Sequence, residues 1–179
     1  IFVFFGGFAL AATLHIQKLD KKIAYGLISL AMGHLGTAVL LIFAVTAVLS
    51  MWISNTATAA KMLPLALGLL TQVDRQKDRG TFVFVLLGIA YSASIGGLGT
   101  LVGSPPNAIA AKELGLDFAG WMKFGLPMMI AMLPLLLGMM YFVLKPRLNQ
   151  KVDMSTQEPI PWTTPRILSL VIFAVTALS

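Results

Sequence analysis

Charge is scarce in this chain of 179 residues. Lysine, arginine, aspartate and glutamate together make up 11% of the sequence, whereas a soluble domain usually carries about 25%. Hydrophobic residues make up 58%, and the mean hydropathy is +0.87. This composition excludes an ordinary soluble domain and predicts an all-α, multi-pass membrane protein in contact with lipid.

Cysteine is absent as well, which says little about the redox compartment because membrane helices seldom need disulfides. Acidic residues and histidine are missing from the apolar runs. A membrane-embedded enzyme needs a nucleophile with a base or a metal cluster at that depth, so we expect no enzymatic activity. The net charge of +6 does not indicate a nucleic-acid partner here, because in a membrane protein the positions of the charges decide their meaning.

The basic residues lie in the connections between apolar runs. Ten of them fall in residues 15–36, 72–80 and 145–166, and only two fall in residues 112–123. Because lysine and arginine are enriched in cytoplasmic loops, the first three connections are predicted to be cytoplasmic and the fourth external. The stretch between Thr37 and Thr71 must then return to the side from which it started.

A polar island of Ser50, Ser54, Asn55 and Thr56 divides that stretch. The arms on either side of it, residues 37–53 and 57–71, are shorter than the roughly 20 residues of a full span. We therefore predict a re-entrant helical hairpin whose tip lies near the bilayer midplane. Two full spans joined by an external turn are the alternative.

A second island, residues 103–107, follows an apolar helix predicted over Thr81–Leu101. Four glycines loosen the end of that helix, and Pro105 and Pro106 cannot continue it. Since proline suits the first turn of a helix, we predict that the chain unwinds and restarts over Asn107–Glu113. Irregular backbone at membrane depth is tolerated only inside protein or beside a cavity, so two such breaks indicate a transporter's binding site.

The broken helices suggest which ligands the site takes. Helices ending near Ile53 and Val102 leave carbonyl groups without partners, and these suit a small cation. Ser50 and Ser54, spaced i and i+4, would place two hydroxyl groups on one helix face beside the carbonyl of Gly103. Neutral oxygen ligands of this kind predict sodium.

Helices beginning after the first island and after Pro106 direct free N–H groups at the same cavity, where they suit an anion. A carboxylate is predicted there, bound by Asn55, Thr56 and Asn107 together with the cation. Ser104 and Pro105, beside Asn107, complete the predicted substrate-binding set.

Lys61 is the only charged residue within an apolar segment. A lysine at membrane depth costs about 2.5 to 3.5 kcal/mol on insertion scales. Either its stem reaches cytoplasmic water, or its ammonium group adds positive potential beneath the anion site. The sequence leaves both interpretations open.

Residues 50–58 (SMWISNTAT) and 99–107 (GTLVGSPPN) resemble the first-repeat signature of the divalent anion/sodium symporters, the bacterial dicarboxylate transporters in particular. The likeness extends over nearly the whole chain. It implies a sodium-coupled carrier of succinate, fumarate, malate or a related dianion in the bacterial inner membrane. By motif position, Ser50, Ser54, Asn55 and Gly103 match the first sodium site, and Asn55 and Thr56 match substrate contacts.

The resemblance also implies a homodimer in which a transport domain moves as an elevator against a scaffold domain. Each protomer of that family has two inverted repeats, each with a hairpin and an unwound helix. The second hairpin is absent from this sequence, so we expect one repeat and about half of a site. A dicarboxylate exchanger of the same fold and a channel or assembly subunit are the alternative functions.

The resulting organisation runs as follows along the chain. We expect the end of a transmembrane helix with a basic interfacial segment on the scaffold side, the hairpin, a cytoplasmic loop with the broken helix of the transport domain, a transmembrane helix, a cytoplasmic connection and the start of another transmembrane helix. These segments occupy residues 1–36, 37–71, 72–118, 119–144, 145–165 and 166–179, respectively. The two terminal runs are too short to span and are expected to continue outside this sequence.

Cysteine labelling tests the predicted topology in the full-length protein. A membrane-impermeant thiol reagent should label Gln72→Cys and Gln76→Cys from the cytoplasmic side only, and Ala119→Cys from the outside only. The chain has no cysteine of its own to interfere. Free labelling of Ser54→Cys from outside, whatever ligand is present, would favour two full spans over the hairpin.

Overall fold

The computed structural model describes residues 34–71 and 73–151, and this part of the chain contains five helices. We number them α1 to α5: Leu35–Ser50, Asn55–Leu70, Arg79–Gly96, Pro105–Glu113 and Phe118–Leu144. The all-helical class is therefore confirmed for these residues. Most of the predicted interfacial segment 1–36 and the helix predicted from residue 166 lie outside the described residues.

The first polar island separates α1 from α2, as predicted. One further hydrogen-bonded turn follows α1, in which the Ile53 N–H donates to the Leu49 carbonyl at 2.9 Å. Ser54 then caps α2, and its Oγ accepts from the Ala57 N–H at 3.4 Å. The expectation that Ser50 and Ser54 share one helix face is wrong, because α1 ends at Ser50 and Ser54 precedes α2.

The third helix ends earlier than the sequence predicted. α3 stops at Gly96 rather than at Leu101, so the freed carbonyl groups follow Gly96 and not Val102. At this end α3 lies in close contact with α1: an ideal Cβ at Gly96 would lie 2.2 Å from the Ala47 carbonyl oxygen. The two backbones touch there, and the chain turns away through residues 97–104.

The predicted restart after this break is confirmed, although it comes two residues early. α4 begins at Pro105, so both prolines occupy its first turn, where a missing N–H is tolerated. α5 follows, and the Asp117 carboxylate caps it by accepting from the Gly120 N–H at 2.6 Å. Among the described helices, α3 and α5 are long and apolar enough to cross a membrane.

The core lies between α1, α2 and α3, which pack against one another. At its centre the rings of Phe43 and Phe84 meet edge to face with centroids 5.6 Å apart. α5 packs on α3, and Gly125 and Met129 are its buried residues. One side of the helix lies partly buried against the core, whereas side chains such as Phe124, Leu135 and Phe142 are exposed.

Three predicted cytoplasmic connections meet at one end of the bundle, which we call the basic end. The Leu35 N–H donates to the Gln150 carbonyl at 2.9 Å, and the Gln150 side chain donates to the Asp78 carboxylate at 2.9 Å. Asp78 also lies 3.6 Å from Arg147 Nε, and the Arg147 N–H donates to Thr81 at 2.9 Å. The charge pattern required these connections to share a side; that this side is cytoplasmic stays a prediction.

Gly96→Ala tests the contact between α1 and α3. A Cβ at this position would overlap the Ala47 backbone, and overpacking of a core costs about 1 to 3 kcal/mol. We expect a lower melting temperature for the purified full-length protein. Gly68→Ala in α2 is the matched control, because a Cβ there meets nothing within 4 Å and alanine favours a helix by about 1 kcal/mol. Equal melting temperatures for the two variants would contradict the close packing.

Candidate functional site

The two polar islands come together at Ser50. This side chain is fully buried, and its Oγ lies 2.7 Å from Asn55 Oδ1 and 2.6 Å from the carbonyl oxygen of Ala93. The end of α1, the start of α2 and the last turn of α3 therefore meet at one hydroxyl group. Gly97 lies against the same place, since its ideal Cβ would be 2.3 Å from Asn55 Oδ1.

Thr100 joins the islands and was not among the predicted site residues. Its side chain is buried; the hydroxyl donates to the Met51 carbonyl and accepts from the Gly103 N–H at 3.2 Å. Gly103 is thereby held beside the first island, where its ideal Cβ would lie 2.9 Å from the Ser50 carbonyl oxygen. One indication of this role was available in the sequence: Thr100 is the single hydroxyl residue between Gly99 and Gly103.

Asn107 holds the unwound segment from the other side. It is buried, and its amide nitrogen donates to the carbonyl oxygens of Gly97 and Thr100, both at 2.7 Å. An amide NH₂ has two hydrogens, and both are used here. The predicted contact of Asn107 with an anion stays a prediction, and in this arrangement only the side-chain oxygen is left for other partners.

Four helix ends point toward this junction and give it its electrostatic character. α1 and α3 contribute carbonyl ends with partial negative charge, and α2 and α4 contribute N-terminal ends with partial positive charge. α4 offers fewer donors than predicted, because Pro105 and Pro106 have no N–H and the Asn107 N–H donates to the Ser104 carbonyl at 3.1 Å. Neither island contains a charged side chain.

A groove between α2 and α3 opens beside the junction, with a volume of about 490 Å³. Asn55 and Thr56 line one end of it, and most of the other lining residues are small or apolar: Ala59, Ala60, Leu63, Leu86, Ile89, Ala90 and Ser94. The groove thus connects the start of α2 with an apolar surface that suits the carbon skeleton of a small ligand.

The remaining predicted site residues lie around these groups. Ser54 and Pro105 are exposed, and Ser104 is half-buried at the start of α4. Lys61 is half-buried in α2, and it does not line the groove. The structure thus brings Ser50, Asn55 and Gly103 together and leaves Lys61 further along the same helix.

Comparison with known proteins places the chain in a family. The model of the family described as "Citrate transporter" matches residues 1–179. The chain belongs to this family. It is therefore part of a membrane transporter, which confirms the predicted protein class.

Individual relatives agree with this assignment. The chain is 60% identical over 179 residues to an uncharacterized transporter of Haemophilus influenzae, covering 100% of the chain and 39% of that protein. An uncharacterized transporter of Methanocaldococcus jannaschii is 40% identical over 162 residues, 90% of the chain and 36% of that protein. The sodium-dependent dicarboxylate transporter SdcS of Staphylococcus aureus is 34% identical over 148 residues, 74% of the chain and 28% of that protein. The chain thus spans about two fifths or less of these relatives.

Asn107→Ala tests the bonding of the unwound segment. The substitution leaves the Gly97 and Thr100 carbonyl groups without their donor, and a buried unpaired polar group costs about 1 to 3 kcal/mol. We expect a clear loss of thermal stability in the full-length protein. Asn149→Ala, at an exposed position, is the control and should leave the melting temperature unchanged. An Asn107→Ala variant as stable as this control would contradict the assigned bonds.

Proposed function

We propose that this chain is the first half of a sodium-coupled dicarboxylate transporter of the bacterial inner membrane, and that the junction of its two islands forms half of the binding site. Family membership makes the protein a transporter. The sodium-dependent dicarboxylate transporter among its relatives supports the choice of ion and substrate. The arrangement around Ser50 is the observation that carries the proposal.

Two acceptor oxygens compete for the one hydrogen of the Ser50 hydroxyl group, and one of them, the Ala93 carbonyl, also accepts from the Gly97 N–H at 3.1 Å. Ser50 Oγ is within hydrogen-bond distance of Asn55 Oδ1 and of the Ala93 carbonyl oxygen, yet a hydroxyl group has a single hydrogen to donate. A sodium ion between Ser50 and Asn55 would satisfy these oxygens. Turning the Asn55 amide by 180° would also satisfy them, because its nitrogen would then donate to Ser50. Only the first arrangement makes the site respond to sodium.

The dicarboxylate is proposed to bind on the other side of Asn55. The first N–H groups of α2 belong to Asn55 and Thr56, and they lie at the positive end of the helix dipole. Thr56 is exposed toward the groove, where its hydroxyl group is available to a carboxylate. Ser104 and Pro105 at the start of α4 are the proposed contacts from the second island.

The hairpin and its movement form part of the same proposal. α1 and α2 have 16 residues each, about 24 Å of helix against a hydrocarbon core of about 30 Å, and this length supports re-entrance. Gly125 of α5 packs against the Leu98 carbonyl, so the unwound segment contacts α5 about two turns from the Phe118 end of that helix. The second repeat, the homodimer and the elevator movement are proposed from the resemblance. The two roles of Lys61 stay open.

Alanine variants of the full-length protein in liposomes test the assignment of the two ligands. Ser50→Ala should raise the sodium concentration for half-maximal uptake about tenfold or more, because it removes an oxygen assigned to the sodium ion, and such a bond is worth about 1.5 to 3 kcal/mol. Ser54→Ala, the other serine assigned to sodium by the resemblance, should act in the same direction, although its hydroxyl group is exposed and caps α2. Thr56→Ala should instead raise the dicarboxylate KM at saturating sodium. Thr71→Ala, which removes an exposed hydroxyl group at the far end of α2, should behave as the parent.

Thermal unfolding with and without sodium separates the two arrangements of Asn55. A bound ion stabilises the folded protein in proportion to its affinity, so Ser50→Ala should reduce the stabilisation that sodium gives. If Ser50→Ala lowers the melting temperature equally with and without sodium, and its uptake keeps the parent's sodium dependence, the turned amide is correct and the proposed cation site is wrong.

A further inference from the structure

The indole ring of Trp121 contacts the unwound segment. Its Nε1–H donates to the Leu98 carbonyl at 3.0 Å. One turn further along α5, Gly125 lies against the same carbonyl: an ideal Cβ there would be 2.6 Å from the Leu98 oxygen and 3.2 Å from the Gly99 oxygen. The first two turns of α5 therefore pack against the unwound segment that follows α3.

The peptide group between Leu98 and Gly99 is the part of the break that most needs such support. Gly97 and Gly99 flank Leu98, and glycine has the widest backbone freedom of all residues. Two hydrogen bonds hold this peptide group: its carbonyl accepts from Trp121, and its N–H donates to the Gly96 carbonyl at 3.0 Å. Loss of the indole donor removes one of the two.

The position of this peptide group affects the Ser50 junction directly. Gly97 packs against the Asn55 side chain and its carbonyl accepts from Asn107. Gly99 packs against Met51, in the turn after α1, with an ideal Cβ 3.1 Å from the Met51 methyl carbon. Rotation at Leu98 would therefore shift the neighbours of Asn55 on one side and of the first island on the other.

The same part of α5 also contacts the first island. Phe118, the first residue of α5, lies beside Trp52 with ring centroids 6.1 Å apart. α5 thus contacts both Trp52, in the turn of the first island, and the unwound segment within its first two turns.

We propose that Trp121 is a positioning residue for the cation site: it fixes the Leu98 carbonyl and, through Gly97, the side chain of Asn55. The inference rests on the proposed function, because it concerns the affinity of the sodium ion assigned to Ser50 and Asn55. Gly125 has the supporting role of letting α5 approach closely enough for the indole to reach its acceptor.

The test measures sodium-dependent dicarboxylate uptake by the full-length protein in liposomes. Trp121→Phe keeps an aromatic ring and removes the N–H, and it should raise the sodium concentration for half-maximal uptake about threefold to tenfold, the effect of one lost hydrogen bond. The dicarboxylate KM at saturating sodium should stay within about twofold of the parent's.

Two glycines of α5 supply a matched pair of variants. Gly125→Ala should raise the half-maximal sodium concentration in the same direction as Trp121→Phe, because its Cβ would push α5 away from the Leu98 carbonyl. Gly138→Ala places the same methyl group on the same helix at a position where nothing lies within 4 Å, and it should match the parent. The rise in melting temperature produced by sodium in detergent provides a second measurement that does not need transport.

The outcomes distinguish this inference from the proposed function. If Trp121→Phe and Gly125→Ala lower uptake or stability equally at every sodium concentration, Trp121 supports the fold alone and the positioning role is wrong. If the parent protein itself shows no response to sodium in either measurement, the proposed function fails and the positioning role fails with it.

Discussion

The carbonyl groups released by the break in α3 are the constraint on which the rest of the site depends. At membrane depth a backbone N–H or C=O group has no water around it, so protein or a water-filled cavity must supply its hydrogen-bond partner. Asn107 takes the Gly97 and Thr100 carbonyls, Trp121 takes the Leu98 carbonyl, and Thr100 takes the Met51 carbonyl of the other island. Three side chains thus make an irregular loop stable at a place where a regular helix would need none.

This pairing separates the residues that hold the site from those available to a ligand. Asn107, Thr100 and Trp121 donate their side-chain hydrogens to backbone carbonyls. These donors are therefore not available to a ligand. Ser50 and Asn55 are different. Their side-chain oxygens lie 2.7 Å apart, and the single hydrogen of the Ser50 hydroxyl group can go either to Asn55 or to the Ala93 carbonyl. The proposed cation site lies between the Ser50 and Asn55 oxygens, and the holding residues determine how closely these oxygens approach.

The sequence predicted the elements of this arrangement better than their details. Proline at positions 105 and 106 and the polar island at 50–56 fix the breaks through local backbone chemistry, so both breaks and the restart of α4 were predictable. The end of α3 at Gly96 was not, because the glycines between 96 and 103 allow the helix to end at any of several positions. The roles of Thr100 and Trp121 were missed because each is defined by an acceptor on a distant segment.

Asn55 gives the proposed transporter a physical route for coupling its two ligands. Its side-chain oxygen faces Ser50 and the proposed cation, whereas its backbone begins α2 and lines the groove proposed for the anion. Neither island carries a charged side chain, so the islands themselves offset the charge of a dicarboxylate only through their helix ends, and each end contributes about half a charge. A bound cation adds a full positive charge beside the anion and also fixes the residue at which the anion binds. Each ligand would then raise the affinity of the other by the same factor. The break in α3 removes regular helix hydrogen bonds, and the same break allows the two ligands to bind side by side.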